Sequence, residues 1–195
     1  QCPKCQARLR ELGLESERQL QGHLVAKMEE HLRSRGKRIL GWDEILTAGV
    51  TSGAIVMSWR GPAGGIKAAK LGHDVIMTPN SHFYFDYYQS PDADAEPFGI
   101  GGCVTIDKVY SFDPMADLTP GQQAHILGVQ ANLWTEYIPT PEQAEYMLYP
   151  RAFALAEVAW SPQKSRDYDE FRTRALIYTE RAREAGSVSY THLRA

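Results

Sequence analysis

Three tryptophans stand just past the ends of apolar runs, each with a carboxylate or an arginine close by. They are Trp42 in Gly41-Trp42-Asp43-Glu44, Trp59 in Ser58-Trp59-Arg60, and Trp134 in Trp134-Thr135-Glu136. An indole beside a carboxylate offers an apolar plate and a hydrogen-bond acceptor at one place. A sugar ring uses both, because its axial C–H face is apolar while its hydroxyls need fixed polar partners. A tryptophan at a strand end is more commonly a core or rim residue. Repetition at three strand ends carries the carbohydrate reading.

Other chemistry is weaker. Cys2-Pro3-Lys4-Cys5 has the spacing of half a zinc site, but no second Cys/His pair follows at the right distance. Two thiols entering a helix is the plainer reading, and a disulfide between them or to Cys103 stays open. His73, His82 and His125 are scattered without ligand spacing, so neither a metal nor a cofactor is expected. Gly61-Pro62-Ala63-Gly64-Gly65 lacks the lysine of a phosphate loop and reads as a turn into an ordinary helix. Asp43 and Glu44 are expected to brace the strand-end loop, Arg60 to pair with a nearby carboxylate, and Glu157 to be a structural anion.

The elements that must position these residues follow from periodicity. Leu9, Leu12, Leu20, Leu24, Met28 and Leu32 repeat at helical spacing, with Gly13 and Ser16 dividing the stretch into two helices and Gly36 ending it. Short apolar runs at Ile39-Leu40, Ala54–Met57, Val75–Met77 and Ile126–Ala131 alternate with helical segments at Gly64–Leu71, Pro141–Val158 and Tyr168–Glu184. Runs buried on both faces and separated by helices predict parallel strands with helical crossovers. Polar and aromatic residues follow each run, at the C-terminal strand ends where α/β folds place their sites. Four strands do not close a barrel, which needs eight strands and ~250 residues. The expected fold is therefore half a barrel, with the irregular stretch 90–119 a functional excursion.

With 195 residues the chain can bury a real core, and a net charge of −3 argues against a nucleic-acid surface. No apolar stretch approaches the roughly 20 residues of a membrane span. The chain opens on Gln1, so no compartment is read from its start.

Four motifs in order make the reading specific: Gly41-Trp42-Asp43-Glu44, Val56-Met57-Ser58-Trp59-Arg60-Gly61, Tyr84-Phe85-Asp86-Tyr87-Tyr88 and Ala131-Asn132-Leu133-Trp134-Thr135-Glu136. Together they resemble the second half of the catalytic domain of glycoside hydrolase family 20, the β-N-acetylhexosaminidases. The resemblance implies an α/β fold, part of a (β/α)8 TIM barrel of about strands 5–8. It also implies substrate-assisted retaining hydrolysis of a terminal N-acetylhexosamine on a glycan. By similarity Trp42 and Trp59 would pack around the acetamido methyl, and Trp134 would lie under the pyranose ring. Tyr84 would hold the acetamido oxygen, while Asp86 and Glu136 would accept from the 4- and 6-hydroxyls. A periplasmic or secreted location goes with the family.

The family's catalytic His-x-Gly-Gly-Asp-Glu run is not in the sequence, whose only Asp-Glu pairs are Asp43-Glu44 and Asp169-Glu170. The expectation is an N-terminally truncated and inactive piece: residues 1–186 as the C-terminal half of the barrel, and 187–195 as a non-native or disordered tail. The rival is a non-catalytic amino-sugar-binding module. A third reading pairs Glu136 directly with Asp43 or Glu44 as glycosidase carboxylates.

Overall fold

The computed structural model describes residues 2–47 and 53–187. Four short strands, β1 (Leu40–Trp42), β2 (Ile55–Ser58), β3 (Asp74–Met77) and β4 (Ile126–Val129), form one sheet in that order. β1 pairs with β2 in parallel, Gly41 opposite Val56, and β2 pairs with β3 in parallel, Met57 opposite Ile76. The half-barrel pattern of an α/β fold is present, with each expected apolar run yielding a strand.

Two helices precede the sheet, α1 (Pro3–Leu12) and α2 (Glu17–Arg33). Gly13 separates them by adopting φ 64°, a left-handed turn whose N–H reaches back to the last carbonyls of α1. Ser16 occupies the N-cap of α2 but makes no side-chain capping bond, so the glycine sets this boundary. Next come α3 (Ala63–Lys70), α4 (Asn80–Phe83), α5 (Ile106–Tyr110), α6 (Pro120–Gln123), α7 (Pro141–Leu148), α8 (Arg151–Trp160) and α9 (Tyr168–Glu184).

The single helix expected over 141–158 is in fact two. Pro150 has no N–H to continue the ladder and its ring crowds the preceding turn, so α7 stops at Leu148 and α8 restarts at Arg151. The excursion between β3 and β4 runs over residues 78–125, longer than the irregular stretch suggested. It carries three short α-helices and a 3-10 turn at Ala93–Ala95. The expected tail lies outside the described residues from 188 onward. Ser187 is described, and its hydroxyl donates to Glu145 Oε2 at 2.8 Å.

The residues group into two compact units, Gln1–Met77 with Met115–Leu127, and Thr78–Pro114 with Gly128–Ala195. In the first, Ala54, Val56, Met57, Ala68, Ala69, Val75 and Met77 form the buried centre between strands and α3. Arg38 donates to Asp74 at 2.7 Å and His125 lies 3.3 Å from the same carboxylate, tying the starts of β1, β3 and β4 together. In the second, α8 packs against α5. Phe83 meets Phe112 edge-on at 4.9 Å, and Tyr110 stacks on Phe171 at 4.6 Å. Each such buried ring contributes roughly 1.5–3 kcal/mol relative to exposure. Glu157 takes Arg174 at 2.7 Å and the Tyr110 hydroxyl at 3.1 Å, the structural role expected of it. No helix among the described residues is long and apolar enough to cross a membrane.

Candidate functional site

In the first unit the site residues follow β1 and β2. Trp42 is the last residue of β1, and the chain turns at once into the 3-10 segment Asp43–Thr47. Asp43 is buried at 3% exposure and its Oδ1 receives the Arg60 guanidinium at 2.6 Å. The Trp59 indole N–H donates to both Glu44 oxygens at 3.0 Å each. The Asp-Glu pair is thus engaged by the loop after β2, as the bracing role requires. A side chain at Gly64 would stand 2.6 Å from Asp43 Oδ2, so glycine there makes room for the carboxylate. Ser58 Oγ accepts the Gly65 N–H at 2.7 Å and donates to Gly61 O at 2.7 Å, closing the turn that superficially suggested a phosphate loop.

In the second unit the chain leaves Thr78-Pro79 through α4 and becomes extended at Tyr84. Tyr84 bridges Asn132 in parallel, with Phe85 N–H donating to Asn132 O at 2.7 Å and Asn132 N–H to Phe83 O at 2.8 Å. Phe83 goes to Phe112 and Phe85 to the Arg151 guanidinium, while the Tyr84 ring faces Trp134 at 6.4 Å and Tyr87 at 5.7 Å. The parity expected from sequence supposed an extended segment; here Phe83 closes α4, only Tyr84 bridges Asn132, and Phe85 and Asp86 lie in a turn, with all four residues buried. Asn132 is itself fixed, donating to Thr78 Oγ1 at 2.8 Å and accepting from Gln130 at 2.9 Å.

Asp86 is 5% exposed, and its Oδ1 has no hydrogen-bond partner among the described residues. Burial pushes its carboxyl above the ordinary range, and the nearby Glu136 charge adds to that. Its own amide, the Trp134 amide and the Arg151 charge pull the other way. Burial also raises the Tyr84 phenol, against hydrogen bonding with Trp134 and Asn132. Trp134, 45% exposed, lines with Thr135 and Glu136 a hollow of about 480 Å³.

The expected residues Tyr84, Asp86, Trp134 and Glu136 thus come together in the second unit, and Trp42 and Trp59 belong to the first. His82 packs on Phe112 and burial pulls it down to about 4; no group of three His, Cys, Asp or Glu side chains suited to a metal occurs among the described residues. Two residues escaped sequence reasoning. Asn132 lay inside a recognised motif without a role. Arg151 begins a helix whose other residues, Glu157 apart, are apolar, and a lone cation in such company is the signal that could have found it.

Comparison with known proteins gives the following. The catalytic domain of glycosyl hydrolase family 20 matches residues 1–163. A beta-hexosaminidase of Porphyromonas gingivalis is 45% identical over 172 residues, 87% of this chain and 22% of that protein. A Cellulomonas fimi beta-N-acetylhexosaminidase is 34% identical over 157 residues, 77% of this chain and 31% of that protein. Among solved structures, a Vibrio harveyi GH20 exo beta-N-acetylglucosaminidase in complex with N-acetylglucosamine superposes with a TM-score of 0.85 at 29% identity. It covers 97% of this chain and 30% of its own. The chain therefore spans between a fifth and a third of the length of these relatives.

Proposed function

The chain belongs to glycosyl hydrolase family 20, and from that premise we propose that the protein carrying it is an exo-acting β-N-acetylhexosaminidase. It would remove a terminal N-acetylhexosamine from glycans by substrate-assisted, retaining hydrolysis. The observation that carries this reading is the Asp86 carboxylate, buried with an unpartnered Oδ1 beside Tyr84 and Trp134. A buried acceptor left unpaired is costly, and a sugar hydroxyl satisfies it.

In this mechanism the acetamido oxygen attacks the anomeric carbon of its own sugar, and the leaving oxygen takes a proton from a glutamic acid. Water then opens the oxazolinium. Tyr84 donates its phenol O–H to the attacking acetamido oxygen. Burial keeps that proton in place, which makes the phenol a dependable donor at neutral pH. Asp86 and Glu136 accept from sugar hydroxyls, and Trp134 supplies the apolar plate under the ring. Trp42 and Trp59 are assigned to the acetamido methyl.

The 195 residues contain no His-x-Gly-Gly-Asp-Glu run, and Asp43-Glu44 is engaged by Arg60 and Trp59. We therefore assign the general acid to protein outside these residues, which by themselves would be inactive. A second reading is an amino-sugar-binding module, which the cluster of Tyr84, Asp86 and Trp134 would serve equally. Chromophore release from an aryl N-acetyl-β-glucosaminide by the complete protein separates the two. Release supports the hydrolase, whereas binding of N-acetylglucosamine without release supports the module.

A further inference from the structure

We propose that Arg151 is a positioning residue for the sugar-binding carboxylate: it holds the carbonyls of the two residues that flank Asp86, Phe85 and Tyr87, and so fixes the backbone from which that side chain projects. The proposal rests on the reading of Asp86 as an acceptor for a sugar hydroxyl. Arg151 is fully buried, the first residue of α8, with its guanidinium 4.7 Å over the Phe85 ring. Nη2 donates to Phe85 O at 2.6 Å, and Nη1 donates to Tyr87 O and Val104 O at 2.9 Å each. Nε and Nη2 both donate to Met147 O.

Every one of these acceptors is a backbone carbonyl, and no carboxylate shares the guanidinium directly. A buried cation without a bonded counter-ion is an expensive way to cement a core, which apolar side chains would fill at lower cost. What the planar fork provides instead is donors in fixed directions to several chain segments at once. Two of those carbonyls flank Asp86. The Asp86 Oδ1 has no hydrogen-bond partner among the described residues; the carboxylate is held by its own amide and the Trp134 amide, so its aim depends on where the backbone around residue 86 is fixed. Burial draws the Arg151 pKa down to about 9, with Glu96 and Asp86 opposing, so the group is still a cation at neutral pH.

The test is a double-mutant cycle in the complete protein, Arg151→Lys against Asp86→Ala. It is read as KM and kcat on an aryl N-acetyl-β-glucosaminide, with thermal melting as the check on folding. Asp86→Ala is expected to raise KM by about tenfold or more. Arg151→Lys is expected to raise it in the same direction, yet by less than about twofold once Asp86 is alanine. Equal factors for Arg151→Lys in both backgrounds overturn the proposal. A KM indifferent to Asp86→Ala overturns the reading of Asp86 itself, a different outcome. Should Arg151→Lys give no folded protein, Phe85→Leu takes its place. It removes the ring beneath the guanidinium, keeps every carbonyl, and is judged by the same two factors.

Discussion

The Trp59 indole N–H is shared between the two oxygens of Glu44, at 3.0 Å to each. Next to it, Arg60 closes on the buried Asp43. The Asp43-Glu44 pair, which could pass in the sequence for glycosidase carboxylates, holds the Trp59 indole and the Arg60 guanidinium of the loop after β2.

Glu44→Leu should therefore loosen the indole and raise KM for an aryl N-acetyl-β-glucosaminide by roughly fivefold, as expected for a lost charged hydrogen bond that is partly solvated. Glu44→Gln keeps an acceptor and should stay within about twofold of the parent. Steady-state kinetics on the complete protein check both. A fall in kcat of the ~10²–10⁴ that accompanies loss of a general acid would return Glu44 to the chemistry.

Tyr84→Phe removes a phenol O–H and keeps the ring that stands 6.4 Å from Trp134 and 5.7 Å from Tyr87. Loss of a preorganised donor at a developing charge should slow turnover by more than about tenfold. KM should change less than kcat. Unchanged turnover would take Tyr84 out of the mechanism.

Asp86 predicts a stability effect of definite sign. Burial places its folded pKa above the ordinary 3.8, so between those two values the folded chain holds more protons than the unfolded one. Stability is then lost as pH rises through that folded value. Asp86→Asn should raise the melting temperature by a few degrees at pH 7, and the gain should shrink as pH falls to 3.8. A gain that grew in acid would contradict the burial argument.

How much of this was legible in the sequence depended on the range of the forces involved. Gly13 ends α1 by its own left-handed turn, and four apolar runs became four strands, because both effects are local. The alternation expected over 83–86 supposed an extended segment, whereas α4 runs through Phe83 and a turn follows Tyr84. Pro150 was equally local, and reading through it merged α7 with α8. Arg151 could be singled out as the one cation of α8, but its role could not be read, since Phe85, Tyr87 and Val104 are far away in the chain and bind through backbone carbonyls that carry no residue signature. The Glu44–Trp59 bond escaped too, because only the paired strands β1 and β2 bring their following loops together.

Gly65 gives a test of the scaffold beneath the site. A methyl there would stand 2.5 Å from Met77 Sδ and 3.0 Å from Ser58 Cβ. Gly65→Ala should cost about 1–3 kcal/mol of stability by overpacking, seen as a lowered denaturant midpoint. Gly121→Ala meets nothing within 4 Å and serves as the neutral comparison. Equal midpoints for the two variants would refute the packing of α3 on β3.

Tyr84, Asp86, Trp134 and Glu136 are proposed to serve a sugar whose own acetamido group does the attacking. The most direct measurement is the ratio of kcat/KM for an aryl N-acetyl-β-glucosaminide over the matching aryl β-glucoside, with the complete protein. A ratio of about 10³ or more is expected, because the glucoside lacks the internal nucleophile that proximity makes effective. Comparable rates on the two substrates would contradict it.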